Sequence, residues 1–169
     1  NQTKAATIAI ADYEGPVYLR FGRPTVPVFL PEDMPFEIGK GILLQEGTDV
    51  TIVATGHLVW ESLVAADELE KEGISCEVIN IHTIKPLDEE IILKSVEKTG
   101  KIVTAEEHNY LGGLGESVAG MLARKRPTKQ EFVAVNDTFG ESATPAELMK
   151  KYKIDSTAVK EAVKRILEK

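Results

Sequence analysis

Four stretches of the chain are apolar almost without interruption: Val50 to Ala54, Cys76 to Ile81, Lys101 to Ala105 and Phe132 to Val135. Runs that are apolar on both faces suit strands buried inside a parallel sheet. A further strand is predicted over Lys40 to Gln45, and only the turn Glu46-Gly47-Thr48-Asp49 separates it from the next, so those two are expected to run antiparallel. Between the strands the apolar positions return at helical spacing, first at Val59, Leu63, Ala66 and Leu69 and later at Leu114, Val118, Met121 and Leu122. Asp88 is placed to cap a helix running to about Lys98, with Leu87 and Ile92 as a hydrophobic staple and Gly100 just past its end. Thr144, Pro145 and Glu147 form a capping box with proline at the first helical position. Strands alternating with helices predict an α/β fold. The expected form is an open doubly wound three-layer sandwich on a five-stranded, mostly parallel sheet with one antiparallel strand.

Upstream of this regular pattern the chain reads differently. Thr3 to Ala11 has the character of the end of a helix, and Tyr13-Glu14-Gly15-Pro16 breaks it before a short apolar strand, Val17 to Phe21. From Gly22 to Pro35 the prolines Pro24, Pro27, Pro31 and Pro35 fall where there is neither helical nor alternating periodicity, the composition of a stiff extended connection. Residues before about Pro35 are therefore expected to pack poorly.

Composition narrows the class. A chain of 169 residues, 43% hydrophobic and 28% charged, can bury a core without disulfides or metals. A formal net charge of −7 argues against nucleic acid or an anionic membrane as partner, while leaving room for a local basic patch that holds one phosphorylated small molecule. The single cysteine, Cys76, excludes an internal disulfide and lies in an apolar run, so a buried inert thiol and a reducing, cytoplasmic setting are expected. No segment approaches the roughly 18 consecutive apolar residues of a membrane span.

The candidate chemistry is sparse. Gly112-Gly113-Leu114-Gly115 follows a strand and opens a helix, where backbone N–H groups and the helix dipole can bind an anion. The spacing matches neither the dinucleotide nor the Walker pattern, and glycines at such a place equally serve a tight turn and close helix packing. Glu106, Glu107 and His108 lie at the carboxyl end of a predicted parallel strand, the usual place for ligands in open α/β sheets, and read either as acid–base groups or as an ordinary ion pair. His57 and His82 have no second ligand at metal spacing and are assigned to structure. Arg20 and Arg23 flank the end of the first short strand, where a guanidinium can take a phosphate bidentately or form a domain-interface salt bridge.

The segment Val78-Ile79-Asn80-Ile81-His82-Thr83-Ile84-Lys85-Pro86-Leu87-Asp88 resembles one shared by C-terminal domains of the transketolase superfamily. The resemblance continues through Ile102 to His108 and Gly112 to Gly115, and ends in Phe139-Gly140-Glu141-Ser142-Ala143-Thr144-Pro145-Ala146-Glu147-Leu148, which is similar to the transketolase tail. Gly15 to Arg23 looks like the last strand of the pyrimidine-binding domain that precedes the C-terminal domain in these enzymes. The division this implies is 1–23 as the end of that domain, 24–36 as a linker and 37–169 as the C-terminal domain. It also implies ketol transfer between sugar phosphates with thiamine diphosphate and magnesium in the complete enzyme. The chain carries no Gly-Asp-Gly with a following Asn for the metal, so no cofactor is expected on it alone and the isolated chain is expected to be inactive. Its implied partners are the remaining domains or an N-terminal subunit, sugar phosphates and a second copy in a homodimer. Arg23, with Arg20 as the neighbouring alternative, matches the arginine that holds the sugar phosphate. Deoxyxylulose-phosphate synthase, the thiamine-dependent component of a 2-oxoacid dehydrogenase, and a non-catalytic dimerisation or regulatory module with an anion site at Gly112 to Gly115 are the other readings.

Overall fold

The computed structural model describes residues 1–22 and 25–168. An N-terminal helix, α1 (Gln2–Ala11), precedes β1 (Ile42–Gln45), β2 (Val50–Ala54), α2 (His57–Lys71), β3 (Cys76–Asn80), α3 (Glu89–Thr99), β4 (Lys101–Asn109), α4 (Leu114–Lys125), β5 (Lys129–Val135), α5 (Pro145–Lys151) and α6 (Ser156–Glu168). The five strands form one sheet in the order β1-β3-β2-β4-β5, with β1 antiparallel to β3 and every other pairing parallel. β1 does run opposite to β2, as the short turn dictates, but its ladder forms with β3, opposite Asn80, Ile79 and Val78.

Both sheet faces are covered, which is why β2 and β3 are buried at every position. Alternation sends Val50, Ile52 and Ala54 to one face, where they meet Leu58, Val59, Ala65, Ala66 and Leu69 of α2 and Val159, Ala162, Val163 and Ile166 of α6. Val53, Ile79 and Ile102 face the other way, onto Ile92 and Val96 of α3 and Leu114, Val118, Met121 and Leu122 of α4. The buried hydroxyls on that second face satisfy one another, since Thr51 Oγ1 lies 2.6 Å from Ser95 Oγ and 2.7 Å from Thr99 Oγ1.

The helix boundaries follow the signals in the sequence. Asp88 accepts from Ile91 N at 3.3 Å, and its other oxygen accepts from Gly41 N at 2.8 Å, tying the approach to β1 onto the start of α3. Gly100 ends α3 in the left-handed region at φ 69°. The Thr144/Glu147 capping box is formed at the start of α5. Helix α6 was not anticipated, although Asp155 caps it through Ala158 N at 2.9 Å and its apolar positions recur with a clear helical period.

Two expectations need correction. Val17 to Phe21 is not a strand: it joins no ladder among the described residues, because none of the five sheet strands lies beside it. The strand ending in Glu106-Glu107-His108 is also longer than the apolar run suggested, reaching Asn109 with an irregularity in its pairing to β5 after Ala105.

Candidate functional site

The order β1-β3-β2-β4-β5 places a topological switch between β2 and β4: the chain leaves β2 toward β3 on one side, then crosses back to β4 on the other. Ligands of open α/β sheets bind at such crevices, outside the carboxyl ends of the strands. Here those ends carry Gly56 and His57 after β2, and Glu106, Glu107 and His108 at the end of β4.

Glu106 is buried, and its carboxylate points at the start of α4. Leu114 N donates to Oε2 and Gly115 N to Oε1, each at 2.8 Å. Close approach accounts for two of the glycines. A Cβ on Gly113 would lie 2.2 Å from Glu106 Oε2, and one on Gly115 would lie 2.5 Å from the Phe132 ring. Gly112 has φ 74° and its N–H donates to Glu116 Oε2 at 2.6 Å. The anion at this helix terminus is thus the chain's own carboxylate, held by aligned N–H groups and the helix dipole. An external anion at Gly112–Gly115 would have to displace it. The open hollow of about 420 Å³ beside this turn is lined by Tyr110, Glu116, Phe132, Ala134 and Asn136, whose one charged side chain also has the wrong sign for an anion.

Glu107 turns toward the switch point, with Oε2 3.2 Å from His57 Nδ1, an ion-pair distance when the imidazole is protonated. The pair joins the end of β4 to the first residue of α2. His108, by contrast, is exposed, with Nδ1 2.7 Å from the carbonyl of its neighbour Asn109, so the structure separates Glu106, Glu107 and His108 into three environments.

The segment before the linker passes over the same place. A Cβ built on Gly22 would lie 2.6 Å from Nε2 and 2.8 Å from Cε1 of His57, so the backbone there runs against the imidazole edge. Arg20, two residues earlier, is exposed, and none of the ion pairs among the described residues involves it. Arg23 lies outside the described residues. The sequence reading set His57 aside as structural; the signal for its place was its position directly after a strand on the switch-point side of the sheet, which only the strand order makes visible.

His82 stacks on Phe36 with ring centroids 4.3 Å apart, and burial holds its imidazole below the ordinary value despite the opposing pull of Asp88. Cys76 is buried in β3, and burial, with Asp49 adding to it, pushes its thiol up to about 12, so it is protonated and unreactive at neutral pH. No group of three or more His, Cys, Asp or Glu among the described residues is placed to hold a metal ion. With the α4 terminus also filled by Glu106, the described residues do not fit a metal-bound diphosphate cofactor. No helix of the described residues is long and apolar enough to cross a membrane.

A profile of the family described as "Transketolase, C-terminal domain" matches residues 39–159. The 6-deoxy-6-sulfo-D-fructose transketolase subunit SqwH of Clostridium sp. (strain MSTE9) is 43% identical over 99% of this chain and 52% of its own length. A putative transketolase C-terminal section of Methanocaldococcus jannaschii is also 43% identical, over 98% of this chain and 52% of its own length. Transketolase of Mus musculus is 35% identical over 99% of this chain and 27% of its own length. A solved structure described as "Split gene transketolase, inactive beta4 tetramer" superposes with a TM-score of 0.95 at 45% identity, covering 98% of this chain and 54% of that one. The chain spans about half the length of the first of these relatives.

Proposed function

Since the chain belongs to the transketolase family as its C-terminal domain, we propose that it works as the C-terminal part of a thiamine diphosphate-dependent transketolase, moving a two-carbon ketol unit between sugar phosphates. The observation that carries this reading is similarity along nearly the whole chain, the segment before the sheet included. Within it, 37–169 is the C-terminal domain, 24–36 the linker and 1–23 the end of a pyrimidine-binding domain whose remainder lies on another part of the enzyme. Thiamine diphosphate and magnesium belong to that other part, supplied by the same polypeptide or by a separate N-terminal subunit. A cytoplasmic setting is part of the same reading. The isolated chain is expected to self-associate, at least as a homodimer, through surface that in the complete enzyme meets its other parts; the similar structure described as a tetramer supports this reading.

Arg23, or its neighbour Arg20, is proposed to hold the substrate phosphate. An exposed Arg20 without an ion-pair partner among the described residues favours this over a salt bridge within the chain. Reconstitution with the N-terminal half tests the reading, with thiamine diphosphate and magnesium added and ketol transfer measured. Activity is expected from the two halves together and from neither alone. Arg23→Ala should then lower kcat/KM for phosphorylated sugars by roughly tenfold to a hundredfold, the value of a charge-assisted contact, and leave hydroxypyruvate nearly unaffected. Turnover by this chain alone, or equal impairment on both substrate types, would overturn the corresponding part.

A further inference from the structure

The contact between His57 and Gly22 joins two parts of the molecule with different degrees of support. On one side, His57 opens a helix whose next residues, Leu58 and Val59, are fully buried, so its backbone is fixed by the core. On the other, the residues from Asp12 to Gly22 are exposed apart from a half-buried Leu19 and belong to no helix or ladder. Within this chain such a segment takes its direction from the few holds it has. His57 supplies one: its side chain is only 15% exposed, its Nδ1 edge faces Glu107, and its opposite edge lies where any side chain at position 22 would collide.

We propose that His57 is a positioning residue for substrate phosphate binding: wedged between Glu107 and the Gly22 backbone at the switch point, its ring sets the path of the segment that carries Arg20 and ends, among the described residues, at Gly22. This rests on the reading that an arginine of that segment holds the phosphate. A side chain at position 22 would have to push the imidazole aside, since the atoms its Cβ would meet all belong to that ring. Glu107 Oε2, 3.2 Å from Nδ1, holds that side of the ring when the imidazole is protonated. Productive geometry tolerates little displacement, and an error of about 1 Å in a positioning contact can cost up to about a hundredfold in rate.

The test uses the complete enzyme, with activity and amide hydrogen exchange of residues 17–22 measured in parallel. His57→Ala should raise KM for a phosphorylated ketose about tenfold, leave kcat and the hydroxypyruvate reaction close to wild type, and speed exchange in the segment. His57→Phe keeps the ring edge under Gly22 and should recover most of the loss, whereas His57→Asn keeps a polar group for Glu107 without the edge and should not. Gly22→Ala should mimic the defect through collision, and Gly22→Ala combined with His57→Ala should be less impaired than Gly22→Ala alone. Unchanged exchange in His57→Ala, or strictly additive effects in the double variant, would overturn the proposal. Failure of the phosphate reading would look different: Arg20→Ala and Arg23→Ala would impair both substrate types equally, while faster exchange in His57→Ala would still report its hold on the segment.

Discussion

All five residues of β2 and all five of β3 are buried, whereas Tyr18, Phe21 and Val28, in the segment before the sheet, are 87%, 67% and 78% exposed. Both regions are rich in large apolar side chains, so composition does not separate them. Supply of neighbours does. β2 has a strand on either side and helices on both faces, and each of its side chains meets a complementary surface from this same chain. The early segment has Phe29 against Trp60, Leu30 buried and Gly22 against His57, but no ladder. Burial of a large apolar side chain is worth about 1.5–3 kcal/mol, and most of that gain is unrealised between Tyr13 and Val28. The two regions therefore call for different experiments: substitutions in the sheet unit should read out as stability, and substitutions in the segment as association.

The largest effect is expected at Glu106. Its buried carboxylate accepts from two backbone donors, so Glu106→Ala should cost on the order of 3–5 kcal/mol in urea unfolding by leaving both N–H groups unpaired. Glu106→Gln keeps one acceptor oxygen and should cost roughly half as much. A loss below about 1 kcal/mol for the alanine variant would mean that water replaces the carboxylate at the α4 terminus, and that this place is open to external anions after all.

Asp88 lies on the border between the two regions and sharpens the contrast. It caps α3 and also holds Gly41, the last residue before β1. Asp88→Ala should cost about 2 kcal/mol, a cap plus an orphaned donor, and Asp88→Asn less than half of that. Farther out, Tyr18→Ser should change the unfolding of this chain by less than about 0.5 kcal/mol, the usual range for surface positions. Under the proposed function the same substitution should weaken association with the N-terminal portion of the enzyme, measurable by calorimetric titration. A Tyr18 variant that destabilises the chain but associates normally would reverse the assignment of that surface.

The contrast also explains what could be read from the residues alone. Strands β2 and β3, the antiparallel direction of β1, the Asp88 cap and the Thr144 box were legible because each is a local pattern: a continuous apolar run, a turn too short for a crossover, or a capping residue at fixed spacing. The pairing of β1 with β3, the His57–Glu107 contact and the carboxylate inside the α4 terminus were not. The first two join residues separated by a crossover, and only the strand order brings them together, whereas the third depends on how the turn between β4 and α4 folds the helix start back onto the strand. The Val17 to Phe21 strand was expected from an apolar run that resembles a strand but finds no ladder here. Glu106, Glu107 and His108 lie toward the carboxyl end of β4 and the glycines follow it, but the three read as one cluster in the sequence, whereas the backbone turns each to a different neighbour.

The smallest effect expected is a pH dependence at His82, which lies where the two regions touch, under Phe36 of the early segment. Burial holds its imidazole below the ordinary value of 6.5, and the carboxylate of Asp88 opposes this only in part. The surroundings suit the neutral ring: Nδ1 lies 2.9 Å from Thr83 Oγ1, and Nε2 is buried with no hydrogen-bond partner among the described residues. A second ring proton would therefore become a buried donor without an acceptor. Below about pH 6.5 the unfolded chain takes up a proton that the folded chain resists, so stability should fall as pH drops from there to the lowered folded value, and level off beneath it. Glu77 acts in a separate window: burial raises its carboxyl, but Lys98, Ser95 and Gly47 N outweigh this, so its contribution is lost only as pH falls through a folded value below 4.5. Urea midpoints at pH 7.5 and pH 5.5 should therefore separate for the native chain, and separate less for His82→Gln, in which the other two histidines are unchanged. Equal separation in both proteins would show that the ring is protonated without cost, and that the Phe36 stack leaves it open to water.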